Sequence, residues 1–276
     1  MTDHTTTHTL AIGDATVVKR FRSWDRGEPE REWRALGLLA RYAPGLAPRP
    51  LARTAVPPSL TMERIPGAPL RGSTVGPAPA TALAAALHRL HEAVPRTEID
   101  ALPPRLWSPA DILAAVRGQC AALAATPGPP TDPEPYAAAL TAGTAWISAP
   151  RLDTLAAAPP TAPVLGSADG NLANCLWDGT RIRLVDFESS GRGDRIQELA
   201  EITEHVSAWS DSDLDTDALI GCFTLTRTDT SRLRDLRRLT ALMWLCMLTH
   251  DSRTPHPRNP PGTTGRQARR LLDLLG

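Results

Sequence analysis

Lysine is nearly absent from this chain. Of 30 lysines and arginines in 276 residues, only Lys19 is a lysine. High alanine, proline and arginine together suggest a GC-rich coding sequence, which accounts for the arginines but not for the exception. Lysine is a compact charge on a flexible stem, whereas arginine is a broad planar fork. A position that admits only the compact ammonium would keep its lysine against such drift. Net charge is also lacking, at +0, so general attraction to nucleic acid or to an anionic membrane is not expected. The four cysteines (Cys120, Cys175, Cys222, Cys246) form no C-x-x-C pair. Neither a disulfide framework nor a zinc site is expected from that spacing, and a reduced, cytoplasmic protein follows. No basic stretch followed by an apolar run opens the chain, and no window has the apolar length needed to cross a bilayer. His4 and His8 fall in what reads as a frayed, solvated tail.

What is present divides in two. Thr7 to Ile12 and Thr16 to Phe21 read as short strands around Gly13-Asp14, the second alternating through Val17, Val18 and Phe21. A helix is expected from about Glu30 to Tyr42, ended by Pro44-Gly45, followed by extended pieces at Arg49 to Thr54 and Ser59 to Arg64. From about Pro79 the pattern turns helical. Leu83, Leu87, Leu90 and Val94 form one stripe, with His88 and His91 beside it as surface or satisfied core histidines. Ser108-Pro109-Ala110-Asp111 opens another helix with a cap residue and a first-turn proline. A Pro/Gly-rich loop is expected at Thr126 to Pro135, then a helix near Tyr136 to Ile147. One hairpin interrupts the helices: Asn174 to Trp177 turns through Asp178-Gly179 into Arg181 to Phe187. Helices resume at Asp194 to Trp209, Asp217 to Phe223, Ser231 to His250 and Arg266 to Leu275.

Three polar residues bracket the hairpin. Asp169 and Asn174 lie in the loop entering it, and Asp186 ends its second strand. Because a hairpin folds its ends together, Asn174 and Asp186 should be neighbours. A carboxylate that takes a hydroxyl proton, plus an amide oxygen and a second carboxylate for a hard cation, is the equipment of phosphoryl transfer with Mg²⁺. No sulfur or imidazole cluster argues for zinc.

At these residues the chain resembles the aminoglycoside phosphotransferase and choline-kinase-like family of the protein-kinase fold. Gly166-Ser167-Ala168-Asp169 to Asn174 stands where that family has H-G-D-x-x-x-x-N. Val185-Asp186-Phe187-Glu188 and Gly193-Asp194 to Leu199-Ala200 follow with the family's spacing. Val17 to Phe21 resembles the strand bearing the phosphate-binding lysine, Arg31 to Leu36 the helix whose glutamate pairs with it, and Leu60 to Gly67 the linker beside the base. The resemblance implies an α+β, two-lobed protein-kinase-like fold. A reduced β-rich N-lobe (1–67) would bind nucleotide, and a mainly helical C-lobe (68–276) would carry the catalytic hairpin and the acceptor site. It implies Asp169 as base, Asn174 and Asp186 as metal ligands, and Lys19, Glu32, Met62, Glu63 and Ile65 around the nucleotide. The donor would be ATP or GTP with Mg²⁺, and the acceptor a small hydroxylated antibiotic or metabolite.

Glu28 and Glu30 compete with Glu32 as the partner of Lys19. Ser167-Ala168 replaces His-Gly, which weakens the expected brace of the loop. No glycine-rich loop to cover the phosphates is seen before Lys19, and Gly13-Asp14 is at best a shortened hairpin. Glu198, Glu201 and Glu204, with the Asp211 to Asp217 run, could offer carboxylates to a cationic acceptor or form a solvated helix face. Glu188 could support the metal or meet water. Asp194 is expected to cap the following helix, and the Asp211 to Asp217 alternation to be a solvated loop and cap rather than a calcium site.

Overall fold

The computed structural model describes residues 7–125, 133–160 and 162–276; His4 and segment 126–132 of the expected loop lie outside them. In chain order the elements begin β1 His8–Ile12, β2 Thr16–Phe21, α1 Glu28–Tyr42, β3 Pro50–Ala55 and β4 Pro58–Glu63. Next come β5 Ala68–Pro69, β6 Thr74–Val75, α2 Pro77–Glu92, α3 Arg96–Asp100, α4 Pro109–Ala124, α5 Pro133–Ile147 and α6 Arg151–Ala157. Then follow β7 Pro163–Gly166, a single 3-10 turn Leu172–Asn174, β8 Cys175–Trp177, β9 Ile182–Leu184, β10 Gly191–Asp194, α7 Arg195–Glu204 and α8 Val206–Trp209. The chain ends with β11 Asp213–Leu214, α9 Thr216–Gly221, α10 Arg227–Ser252 and α11 Thr263–Leu275.

The first four strands form one antiparallel sheet ordered β1-β2-β4-β3. α1 covers it, burying Ala35, Leu36 and Leu39. The remainder of the described residues is mainly helical, with three small sheets, two antiparallel and one parallel. A small antiparallel lobe thus precedes a mainly helical one, as expected. The core has two parts. One runs from Phe21, Leu60 and Met62 through α2 to Phe187 and Leu199. The other is made by α4, α5, α10 and α11. Cys120 and Cys246 meet in the second part, their sulfurs 3.8 Å apart as free thiols. None of the helices among the described residues is long and apolar enough to cross a membrane.

Local chemistry sets the element ends. Ser108 and Asp111 close a full capping box on α4. Asp194 caps α7 through the Ile196 N–H and also binds Arg232 at 2.7 Å, while Asp215 caps α9. Gly67 has φ 134°, and a Cβ there would stand 3.0 Å from that of Leu176. Only glycine therefore lets the chain pass from β4 into β5, which pairs with β8 of the β8–β9 hairpin.

His91, on α2, is pushed down to about 4 by burial, and its Nε2 is sealed without a partner. Its folded value lies below the unfolded 6.5, so it contributes stability above pH 6.5 that is lost as pH falls toward 4. Between pH 7 and pH 5 that loss is about 2 kcal/mol. Urea titrations of His91→Leu should show a correspondingly weaker acid dependence than the parent; an unchanged dependence refutes this assignment.

Candidate active site

Lys19 sits mid-strand on β2, paired in register with Leu10 and Leu60. Its side chain is 2 % exposed, and Nζ donates to Glu32 Oε2 at 2.6 Å and Asp186 Oδ1 at 2.5 Å, with Glu188 Oε2 at 2.8 Å. Burial works against the ammonium, but the three carboxylates outweigh it and hold the lysine above its usual range. The competing partners are otherwise engaged: Glu28 accepts from Arg26 at 2.8 Å, and Glu30 is exposed. One compact ammonium nitrogen meets all three acids at 2.5 to 2.8 Å, a convergence on a single atom that a planar guanidinium fork does not offer.

Glu188 meets more than water. Besides Lys19 it accepts from the Thr7 hydroxyl at 2.7 Å and meets His8 Nδ1 at 3.2 Å. Burial opposes its charge, yet these bonds hold it down at about 2. The expectation of a frayed, solvated His8 is corrected: the residue opens β1 and sits over the carboxylates because β1 must run antiparallel to the lysine strand. The Gly13-Asp14 turn lies at the other end of this hairpin, beside the linker, where Arg64 bonds the carbonyls of Ala15 and Gly13. It closes the short β1–β2 hairpin expected from the sequence.

Asp169 leaves β7 in a tight loop. Its Oδ1 accepts from the Asn171 N–H at 2.9 Å and its Oδ2 from the Asn174 amide at 2.9 Å. Burial, reinforced by the charge of Asp186, pushes Asp169 up to about 6 against those two bonds. The hairpin closes as expected, Cys175 to Trp177 pairing with Leu184 to Ile182, and the Val185 N–H donates to the Asn174 carbonyl. Asp186 follows with φ 66°, a left-handed conformation that aspartate tolerates better than most residues. Ala168, at φ 62°, occupies the same region at a cost of about 1–2 kcal/mol.

The loop's brace does not come from residue 167 alone. Ser167 donates twice to Glu198 Oε2, from its N–H and its hydroxyl, each at 2.8 Å, and the Ala168 N–H reaches Glu198 Oε1 at 3.2 Å. Arg105 clamps Glu198 at 2.6 Å and Glu201 at 2.6 Å, all three buried. Glu204, also buried, binds Arg237 at 2.7 Å and Arg270 at 3.0 Å. Both expectations for these glutamates fall. They face neither solvent nor an acceptor, because α7 lies inside the lobe with an arginine supplied to each.

The sequence-named linker residues divide by environment. Met62 is buried in the sheet. Glu63 is exposed at 3.6 Å from Arg49, and its N–H is taken by the Arg49 carbonyl. Ile65 lies in the irregular stretch after β4, half-buried.

One neighbour of Asp169 was missed. The sequence pattern reads as one helix from Asp194 to Trp209, but the helix breaks at His205, placing its Nε2 3.9 Å from Asp169 Oδ1. The only hint was a polar His-x-Ser inside an apolar-periodic run.

With this geometry in view, the fold neighbours are informative. A choline/ethanolamine kinase family protein from Mesorhizobium loti superposes with a TM-score of 0.65 at 17% identity, covering 98% of this chain and 86% of its own. The choline kinase LicA from Streptococcus pneumoniae gives 0.60 at 14%, covering 100% and 91%. A spectinomycin phosphotransferase, APH(9)-Ia, in complex with ADP and spectinomycin, gives 0.58 at 13%, covering 99% and 87%. At these identities the likeness is one of fold. No curated protein matches the sequence. The sequence pattern of the phosphotransferase enzyme family matches residues 5–236, and this chain, with its kinase-like lobes and ordered Asp-Asn-Asp hairpin, belongs to that family of enzymes.

Proposed function

We propose that this phosphotransferase moves the γ-phosphoryl group of ATP or GTP to a hydroxyl of a small molecule, with Asp169 as the base. The observation that carries the reading is the convergence of three distant segments. Lys19 joins Glu32 and Asp186 within 2.6 Å, and Asn174 tethers Asp169 within the loop that enters the hairpin ending at Asp186.

The donor set fits Mg²⁺. The Asn174 side chain offers its oxygen while its nitrogen is spent on Asp169, and Asp186 adds a carboxylate; both are hard ligands. These two would hold the ion, which when bound neutralises charge on the phosphates. The protein's own groups do the rest. Lys19, kept charged and upright by Glu32, holds phosphate oxygens. Met62, Glu63 and Ile65 border the base in the 1–67 lobe. Asp169 takes the acceptor proton as the hydroxyl oxygen bonds to phosphorus and the diphosphate leaves with the electron pair. The acceptor would lie in the 68–276 lobe and the compartment would be the cytoplasm, with no nucleic-acid or membrane partner.

Antibiotic inactivation or self-protection is one role of this chemistry and metabolite phosphorylation another. The burial of Glu198, Glu201 and Glu204 takes these three carboxylates out of reach of a cationic acceptor, whereas Asp213, Asp215 and Asp217 are exposed. A non-catalytic binding protein is the second reading, favoured by Ser167 standing where the family pattern has histidine. The test is release of ADP or GDP with Mg²⁺ over spectinomycin, streptomycin, choline and neutral polyols. Tight nucleotide binding without turnover on any acceptor or on water would establish the second reading.

A further inference from the structure

We infer that His205 is a substrate-positioning residue that holds the acceptor oxygen against Asp169 by donating a hydrogen bond from Nε2. The inference rests on Asp169 acting as the base. It starts from how the imidazole is wired. The Ser207 N–H donates to His205 Nδ1 at 3.0 Å and the Ser207 hydroxyl lies at 2.7 Å from the same atom. A ring nitrogen that accepts a backbone N–H carries no proton, so the proton of the neutral ring is on Nε2. Burial, aided by Arg71 and opposed by Asp211, pushes the ring down to about 3, which keeps it neutral. Trp244 fixes the ring plane edge-on, centroids 4.5 Å apart.

The donor therefore faces Asp169 at 3.9 Å, too far for a direct hydrogen bond. Two hydrogen bonds of about 2.8 Å meeting on one oxygen at roughly a right angle span that distance. A hydroxyl there uses every position of its oxygen. One bond goes to carbon, the proton goes to Asp169, one lone pair accepts from His205 and the other attacks phosphorus. As the O–P bond forms, the bond to the leaving diphosphate breaks and the proton passes to Asp169. The frame is rigid on both sides: the Leu172 N–H donates to Ser207 Oγ at 2.9 Å, tying the helix break to the Asp169 loop. Arg71 and Asp211 pair at 2.5 Å on this side, so together they add no net charge to it.

His205 also caps α8, and the test must separate the two roles. Asparagine accepts from an N2 N–H at a helix start as well as any residue, but it is too short to reach Asp169. His205→Asn should therefore keep thermal stability and nucleotide affinity while lowering kcat roughly 5- to 20-fold. The assay is ADP release from MgATP, with water as acceptor and with spectinomycin, streptomycin, choline and neutral polyols. Wild-type turnover in His205→Asn alongside a dead Asp169→Asn overturns the inference and leaves the phosphotransferase reading intact. Turnover surviving in Asp169→Asn, or absent from the parent on every acceptor, fails that reading and the inference with it. Independently of turnover, ¹⁵N spectra of the full chain at neutral pH should show His205 as the Nε2–H tautomer. The other tautomer, or an imidazolium, overturns the inference outright.

Discussion

Asp169→Asn is expected to abolish nearly all transfer while leaving the protein as stable as before, or more so. Asparagine has the same shape and its oxygen can still accept the Asn171 N–H or the Asn174 amide, which now hold the carboxylate at 2.9 Å each. What it cannot do is take a proton. Loss of a general base costs roughly 10²–10⁴-fold in rate, so kcat should fall by that amount with nucleotide affinity changed little. The stability arm has the opposite sign. Burial and Asp186 hold the Asp169 carboxyl up at about 6, so above that pH the folded state carries a charge the site disfavours and the unfolded chain does not mind. A neutral amide removes that opposition. Coupled ADP release and thermal unfolding at pH 7.5 check both arms. Activity within tenfold of the parent, or a sharp fall in melting temperature, would refute this account.

The parts of this site that could be read from the sequence were those fixed by short-range rules. Asp178-Gly179 specified a hairpin, and the hairpin alone brings Asn174 toward Asp186. The lysine strand and its helix were legible because alternation and helical spacing are local properties, and Glu32 falls to Lys19 once α1 packs on β2. Three features depended on tertiary placement. Glu198, Glu201 and Glu204 show the same spacing whether α7 lies on the surface or inside, and only the positions of Arg105, Arg237 and Arg270, far along the chain, decide between them. The break at His205 hides in a good helical pattern because the imidazole, an uncommon cap, supplies the acceptor. The meeting of Thr7 and His8 with Glu188 joins residues 181 and 180 positions apart, through sheet register that no local pattern encodes.

The Arg105 cluster offers the largest stability effect. Arg105→Ala should destabilise the fold by about 3–5 kcal/mol, because it strands Glu198 and Glu201 as buried charges. Distance alone does not determine that magnitude. Arg96 binds Asp100 through both oxygens at 2.8 and 2.9 Å, a geometry close to that of Arg105 with Glu201. The Arg96 and Asp100 side chains, however, are 60 % and 48 % exposed, against 2 % and 10 % for Arg105 and Glu201. An exposed i,i+4 pair contributes about 0.3–0.5 kcal/mol, so Arg96→Ala is the matched control. The buried variant should do more than lower stability. Glu198 also receives the Ser167 and Ala168 N–H groups, so its release frees the loop that aims Asp169, and kcat should fall even at temperatures where the variant is folded. Urea unfolding of both variants, with turnover measured well below each midpoint, separates the two effects. Equal losses of stability in the two variants would show that burial is not what makes this cluster count. A folded Arg105→Ala protein with full kcat would show that the loop is aimed without it.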